Sequence, residues 1–285
     1  MTEEDYIVMK KGKSLWIHPV DLSADTRICR YMGFDAFLQL LEGSLFVPRK
    51  NLFLDARESG KILNQWRFAC SFFEENGEET FRKVNEEQSE IDKYIENLRK
   101  SKYLLTSCWT VDNGEDYLKW MSYAPTIGVC VRTTIGDLLN SIEYDKYDYI
   151  PICSPMLYGN VSKRKSFLES VFTKDKYYKS EREMRIYFVP KSEINNFNLD
   201  SITNSDIESI LINSLVKEKE MCELKTRQSV PYKYFDVQAN FIKSIILSPR
   251  IKSGTISYFR KLLRKQYKNI FTSDGMIKKS QIEIS

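Results

Sequence analysis

Two periods of apolar residues alternate along the chain, one helical and one extended. In GFDAFLQLLEGSL, Phe34, Phe37, Leu38 and Leu41 recur at i, i+3, i+4 and i+7. That spacing predicts a helix with one apolar face, and Gly43 is the residue expected to stop it. RICRY before it reads as a short strand or a strand-to-helix entry, and SLFVP after it as a strand ended by Pro48. An irregular loop, NLFLDARESG, follows. Between Asn64 and Lys102, two helical stripes (Trp66, Ala69, Cys70, Phe73 and Ile91, Tyr94, Ile95, Leu98) flank an acidic turn.

YLLTSCWTV then reads as a buried strand, DYLKWMSYA as a helix and IGVCVRT as a strand. KRKSFLESVF is a basic helix candidate. From Lys191 onward to about residue 235 the chain is polar and Asn/Ser-rich, which suggests an insertion or an elaborated connection. FIKSIILSP is a strand, and TISYFRKLLRKQY a helix with Phe259, Leu262 and Leu263 inward. Strands and helices are interspersed without a regular β-α-β rhythm. The expected fold is therefore α+β, one domain over residues 1–285. Its central sheet is mixed or antiparallel and flanked by amphipathic helices, with residues 64–102 as a helical elaboration.

One stretch resists a purely structural reading. In YYKSEREMRIYFVP a two-residue period puts Glu181, Glu183, Arg185 and Tyr187 on one face and Arg182, Met184, Ile186 and Phe188 on the other. The first face is either the solvated side of an edge strand or the floor of a site. Like charges on one strand face repel, and strands disfavour Glu, which weighs towards the site.

Composition narrows the chemistry. The 43 basic and 39 acidic residues leave a net charge of +4, too little to indicate nucleic acid without clustering. Six scattered cysteines without a C-x-x-C pair fit reduced thiols in a cytoplasmic protein. The acidic amino-terminal stretch lacks the apolar core of a signal peptide, and no run approaches the roughly 20 apolar residues of a membrane span. The only histidine is His18, in a segment with no nucleophile motif, so acid–base work falls to carboxylate, tyrosine or lysine.

Several stretches in order bring a resemblance. CRYMGFDAFLQLLEGSLFVP, the strand end at Cys108, Trp109 and Thr110, Trp120 with Tyr123 and Ala124 before GVCV, E-x-E-x-R-I from Glu181, and SIILSPRIKSGTISYFRKLL together resemble the bacterial family catalogued as domain of unknown function 2971. The chain departs from it in FLDARES, which keeps Asp55 and Glu58 but not the family's Asn and Pro. It departs again at Ser122, Thr110 and Ser248.

More distantly, Arg30, Thr110 and then Glu181 with Glu183 resemble the three strand motifs of ADP-ribosyltransferase folds. That resemblance implies NAD as substrate and a nucleic-acid or protein acceptor. Glu183 would hold the ribose and face the developing cation, Glu181 would activate the acceptor, and Thr110 would support the sugar. Arg30 would bind a phosphate or ribose, with Arg185 in the same cofactor-binding set or serving to neutralise the two carboxylates. Tyr31, Trp120 or Tyr123 would stack on nicotinamide. A bacterial toxin or antiviral effector, controlled by a partner protein, is the setting such an enzyme suggests.

Two other classes stay open. One is a metal-dependent nuclease with Asp55 and the E-x-E carboxylates on Mg²⁺, although the pattern lacks the usual lysine. The other is a non-catalytic sensor or partner-binding module using the basic surface of Arg260, Lys261, Arg264, Lys265 and Lys268.

Overall fold

A computed structural model describes residues 7–11, 14–18, 22–49, 103–143, 146–159, 171–194, 197, 203–223 and 232–283. In chain order the first elements are β1 (Ile7–Lys11), β2 (Ser14–His18), β3 (Arg27–Gly33), α1 (Phe34–Leu41) and β4 (Ser44–Pro48). Next come β5 (Leu105–Val111), α2 (Tyr117–Tyr123), β6 (Gly128–Thr134), α3 (Ile135–Ser141) and β7 (Tyr149–Pro155). The remainder are β8 (Leu157–Gly159), β9 (Thr173–Asp175), β10 (Glu183–Pro190), α4 (Asn204–Glu223), β11 (Tyr232–Asp236), β12 (Ser244–Leu247), α5 (Ser253–Gln266) and β13 (Ile277–Lys279).

Among the described residues, nine strands form one mixed sheet in the order β1-β2-β7-β10-β5-β3-β6-β12-β13. Its neighbours are antiparallel except β2 with β7 and β12 with β13. The fold is α+β, as the interspersed pattern predicts. On one face Met184, Ile186 and Phe188 of β10 pack with Phe37 of α1, Leu138 of α3 and Leu263 of α5. On the other, Tyr187 and Val189 pack with Ile207, Ile210, Leu211 and Leu215 of α4. A third cluster beside α2 holds Cys29, Tyr31, Trp120 and Cys130. Alternate residues of β10 thus meet opposite layers, which follows from strand geometry once both faces are covered.

Several expectations change. β10 lies between β7 and β5 and all eight of its residues are buried, so the solvated-edge reading is overturned. The strand starts at Glu183; Lys176–Glu181 is a 3-10 turn, so Glu181 is not on the strand face. Within the polar stretch 191–235, α4 is a 20-residue helix whose apolar side chains complete a core layer. β7 runs through YIPICSP although its two prolines argue against an interior strand. It is accommodated because β2 pairs with only Ile152 and Cys153. The helices expected in 64–102, most of KRKSFLESVF, Asp55 and Glu58 lie outside the described residues.

Two glycines have a clear physical reason. Gly43 adopts φ 82° and its N–H donates to the Leu40 carbonyl, ending α1 as expected. Gly128 starts β6 where a Cβ would stand 2.4 Å from the Met32 carbonyl oxygen and 2.5 Å from Ala124 Cβ. The close approach seats the end of α2 against the sheet.

A candidate carboxylate–cation site

Glu183 opens β10 directly opposite Thr110 of β5, and β3 lies on the far side of β5. The glutamate is 8% exposed. Arg185, two residues along the same face, donates from Nε to Glu183 Oε1 at 2.6 Å and from Nη2 to Oε2 at 3.2 Å. Lys174 Nζ, from β9, sits 2.6 Å from Glu183 Oε2 and 2.7 Å from Glu181 Oε2. A carboxylate withdrawn from water is held ionised only by such partners. The two glutamates therefore meet on one ammonium rather than on one strand face.

The turn that delivers Glu181 is fixed by its backbone. Arg182 adopts φ 44°, the left-handed region that a residue with a Cβ enters only under constraint. Its carbonyl accepts from Val111 N–H at 2.9 Å. The Glu181 carbonyl accepts from Lys119 Nζ at 2.7 Å, and the same ammonium donates to Thr110 Oγ1 at 3.0 Å. Lys119 rides on α2, whose N-cap Asp116 accepts from the Lys119 backbone N–H. Burial pulls the Lys119 ammonium below the usual lysine range, opposed by Asp116 and by Glu181. Tyr158 completes the strand entry by accepting from Glu183 N–H at 2.7 Å.

Arg30 stands on the adjacent strand. β3 and β5 pair at Ile28–Val111 and Cys29–Thr110, and their register stops there although both strands continue. By alternation Arg30 leaves the sheet on the face opposite Glu183. Its Nη1 donates to Ser107 Oγ at 3.2 Å, and its guanidinium lies 5.8 Å from the Trp109 ring centroid. Desolvation pulls its pKa down, while Cys108 and Tyr123 favour its charge. Tyr123 in turn is pushed up to about 12, first by desolvation and then by Glu181 and Glu183, with Cys108 adding to it. Tyr123 thus lies within electrostatic reach of the arginine and of both carboxylates, and Cys108 is the register partner of Arg185.

The remaining expected site residues separate. Tyr31 and Trp120 are 5% and 1% exposed and pack edge to face at 4.9 Å. The Tyr31 hydroxyl accepts from Asp116 N–H and Trp120 Nε1 donates to Glu115. Both belong to a core cluster, and stacking on nicotinamide would require either ring to leave it. Tyr123, 59% exposed, is the aromatic of the three that faces solvent. On α5, Lys261, Arg264, Lys265 and Lys268 are exposed, and Arg260 donates to the Ile277 carbonyl. That helix covers the sheet face opposite Glu183.

Lys174, Lys119, Tyr158 and Ser107 went unnoticed in the sequence. No periodicity ties Lys174 to Glu181, and only the lysine-rich lead-in KDKYYKSE hinted at it. Among the described residues no group of three His, Cys, Asp or Glu side chains forms a metal cluster; Asp55 lies outside them. Comparison with known proteins finds no matching family model, no matching curated protein and no matching solved structure.

Proposed function

We propose that this chain transfers an ADP-ribosyl group from NAD to an acceptor and that its sheet is an ADP-ribosyltransferase-like one. The observation that carries the reading is one of neighbourhood. Thr110 of β5 and Glu183 of β10, far apart in sequence, are direct cross-strand partners with Lys174 and Glu181 beside them, while Arg30 of β3 leaves the sheet on the other face. Breaking the nicotinamide–ribose bond builds positive charge on the sugar. A pre-oriented carboxylate in a desolvated place stabilises that charge more than it stabilises the substrate. Arg185 and Lys174 hold Glu183 in one orientation. The acceptor oxygen or nitrogen bonds to the ribose carbon as nicotinamide leaves, and its proton passes to the Glu181 carboxylate. Tyr123 offers an exposed ring within electrostatic reach of both glutamates.

The test is release of nicotinamide from NAD by the purified protein in the presence of candidate acceptors. Release is expected, and Glu183→Gln is expected to abolish it in a protein that still melts cooperatively. Release that persists in Glu183→Gln, or a Mg²⁺-dependent nuclease signal in its place, would overturn the proposal. The nuclease reading gains Lys174 beside the paired carboxylates. It is weaker because both Glu183 oxygens are already engaged by cations.

A further inference from the structure

α5 carries no carboxylate in its 14 residues, and its two faces differ in kind. Ile256, Phe259 and Leu263 turn to the sheet, with the Phe259 ring 4.9 Å from that of Phe34. Lys261, Arg264 and Lys265 are exposed on the other side, and Lys268 is exposed just past the helix end. Arg260 Nε donates to the Ile277 carbonyl at 3.0 Å and ties α5 to β13, where Ile277 faces the same core. Alternation along β13 puts Lys279, also exposed, on that face. Among the described residues, Lys261, Lys265, Lys268 and Lys279 form no ion pair. The helix dipole accounts for cations in the last turn, but not for Lys261 a turn earlier or for Lys279 on the strand.

The row is also regular. Residues three and four apart on a helix stand about 5–6 Å from each other, so Lys261 neighbours both Arg264 and Lys265. Lys261 to Lys265 rises about 6 Å along the helix axis, close to two phosphate steps of a duplex strand at about 3.4 Å each. The exposed residues of α5 include no leucine, isoleucine or valine to sink into a lipid layer.

We infer that the outward face of α5, with Lys279 beside it, binds the phosphate backbone of a nucleic-acid duplex without reading its sequence. A fixed row of cations favours the duplex, whose phosphates are already in place, over a single strand that must first be ordered. α5 covers the sheet face opposite Glu183, so this surface is separate from the carboxylate site and goes beyond the transfer reading.

The experiment measures anisotropy of end-labelled DNA and RNA duplexes of roughly 20 base pairs, and of one strand alone, against salt concentration. At roughly 50 mM salt a duplex is expected to bind in the micromolar range, and the strand alone more weakly. Lys261→Gln with Lys265→Gln is expected to reduce the slope of log K against log salt on the DNA duplex by about 1.8, near 0.9 for each lost phosphate contact. Lys176→Gln with Lys179→Gln removes the same charge from the exposed turn before β10 and is expected to leave the slope unchanged. Circular dichroism checks that these variants fold. Absence of duplex binding, an equal loss in both pairs, or a strand bound as tightly as the duplex overturns the inference. So does binding of phosphatidylserine vesicles in place of the duplex, lost with Lys261 and Lys265. None of these results bears on nicotinamide release, which Glu183→Gln tests by itself.

Discussion

Lys174 Nζ lies 2.6 Å from Glu183 Oε2, bridging a three-residue strand to the first residue of an interior one. The lysine side chain is 11% exposed and the glutamate 9%, so solvent screens the pair little. Lys174→Met removes an ammonium that Glu181 and Glu183 share. It is expected to destabilise by about 1–3 kcal/mol and to lower nicotinamide release further than the stability loss explains. Lys174→Arg should restore most of both. Thermal melts and initial rates on the three proteins check this, and equal activity in Lys174→Met would remove the lysine from the site.

Lys119 touches the Thr110 hydroxyl and the Glu181 carbonyl and is a positioning residue. In Lys119→Met the left-handed turn at Arg182 loses one of its anchors, the Val111 N–H remaining on the Arg182 carbonyl. The expected result is a fall in kcat of about tenfold with KM for NAD little changed, since orientation matters most in the transition state. A variant that changed KM alone would place Lys119 in substrate binding instead.

Far from that site, Arg49 is fully buried and paired with Glu218 of α4, which also accepts from Tyr149 OH at 2.6 Å. Arg49 Nη1 donates to the Tyr103 carbonyl at 2.8 Å. Removing one partner strands the other charge, so Glu218→Gln is expected to cost about 3–5 kcal/mol. Changing both residues to methionine should cost less than either single change. Urea denaturation of the singles and the double checks the order.

Alkali should weaken the fold. Desolvation pushes the Cys153 thiol up to about 12, and pushes the Tyr123 and Tyr158 phenols up to about 12 as well. For each, the folded pKa lies above the unfolded value of about 8.5 for Cys or about 10 for Tyr. The stability they lend is fully present below those values and is lost as pH rises towards 12. The urea midpoint is expected to hold steady to about pH 8 and then fall, and Cys153→Ala should delay the onset.

Gly128→Ala would drive a methyl group into the Met32 carbonyl and Ala124. A loss of roughly 1–3 kcal/mol is expected, because backbone on one side and a packed helix end on the other cannot both yield. Since Ala124 follows Tyr123 directly, the variant should also lower nicotinamide release. An unchanged melting temperature would contradict the close approach.

Local pattern made much of this protein legible. Apolar spacing alone marks α1 and α5, Gly43 marks where α1 stops, and alternation separates Met184, Ile186 and Phe188 from Glu183, Arg185 and Tyr187. Those signals survive because helix and strand periods are properties of neighbouring residues. The order of the strands is not such a property. Only tertiary structure puts β10 between β7 and β5, which turns a charged strand face into a buried one. Only it brings Lys174 and Lys119 to the glutamates, lifts Glu181 off the strand into a turn, and folds Tyr31 and Trp120 into the core. These outcomes depend on contacts between residues distant along the chain, where burial and charge pairing decide what no local spacing encodes.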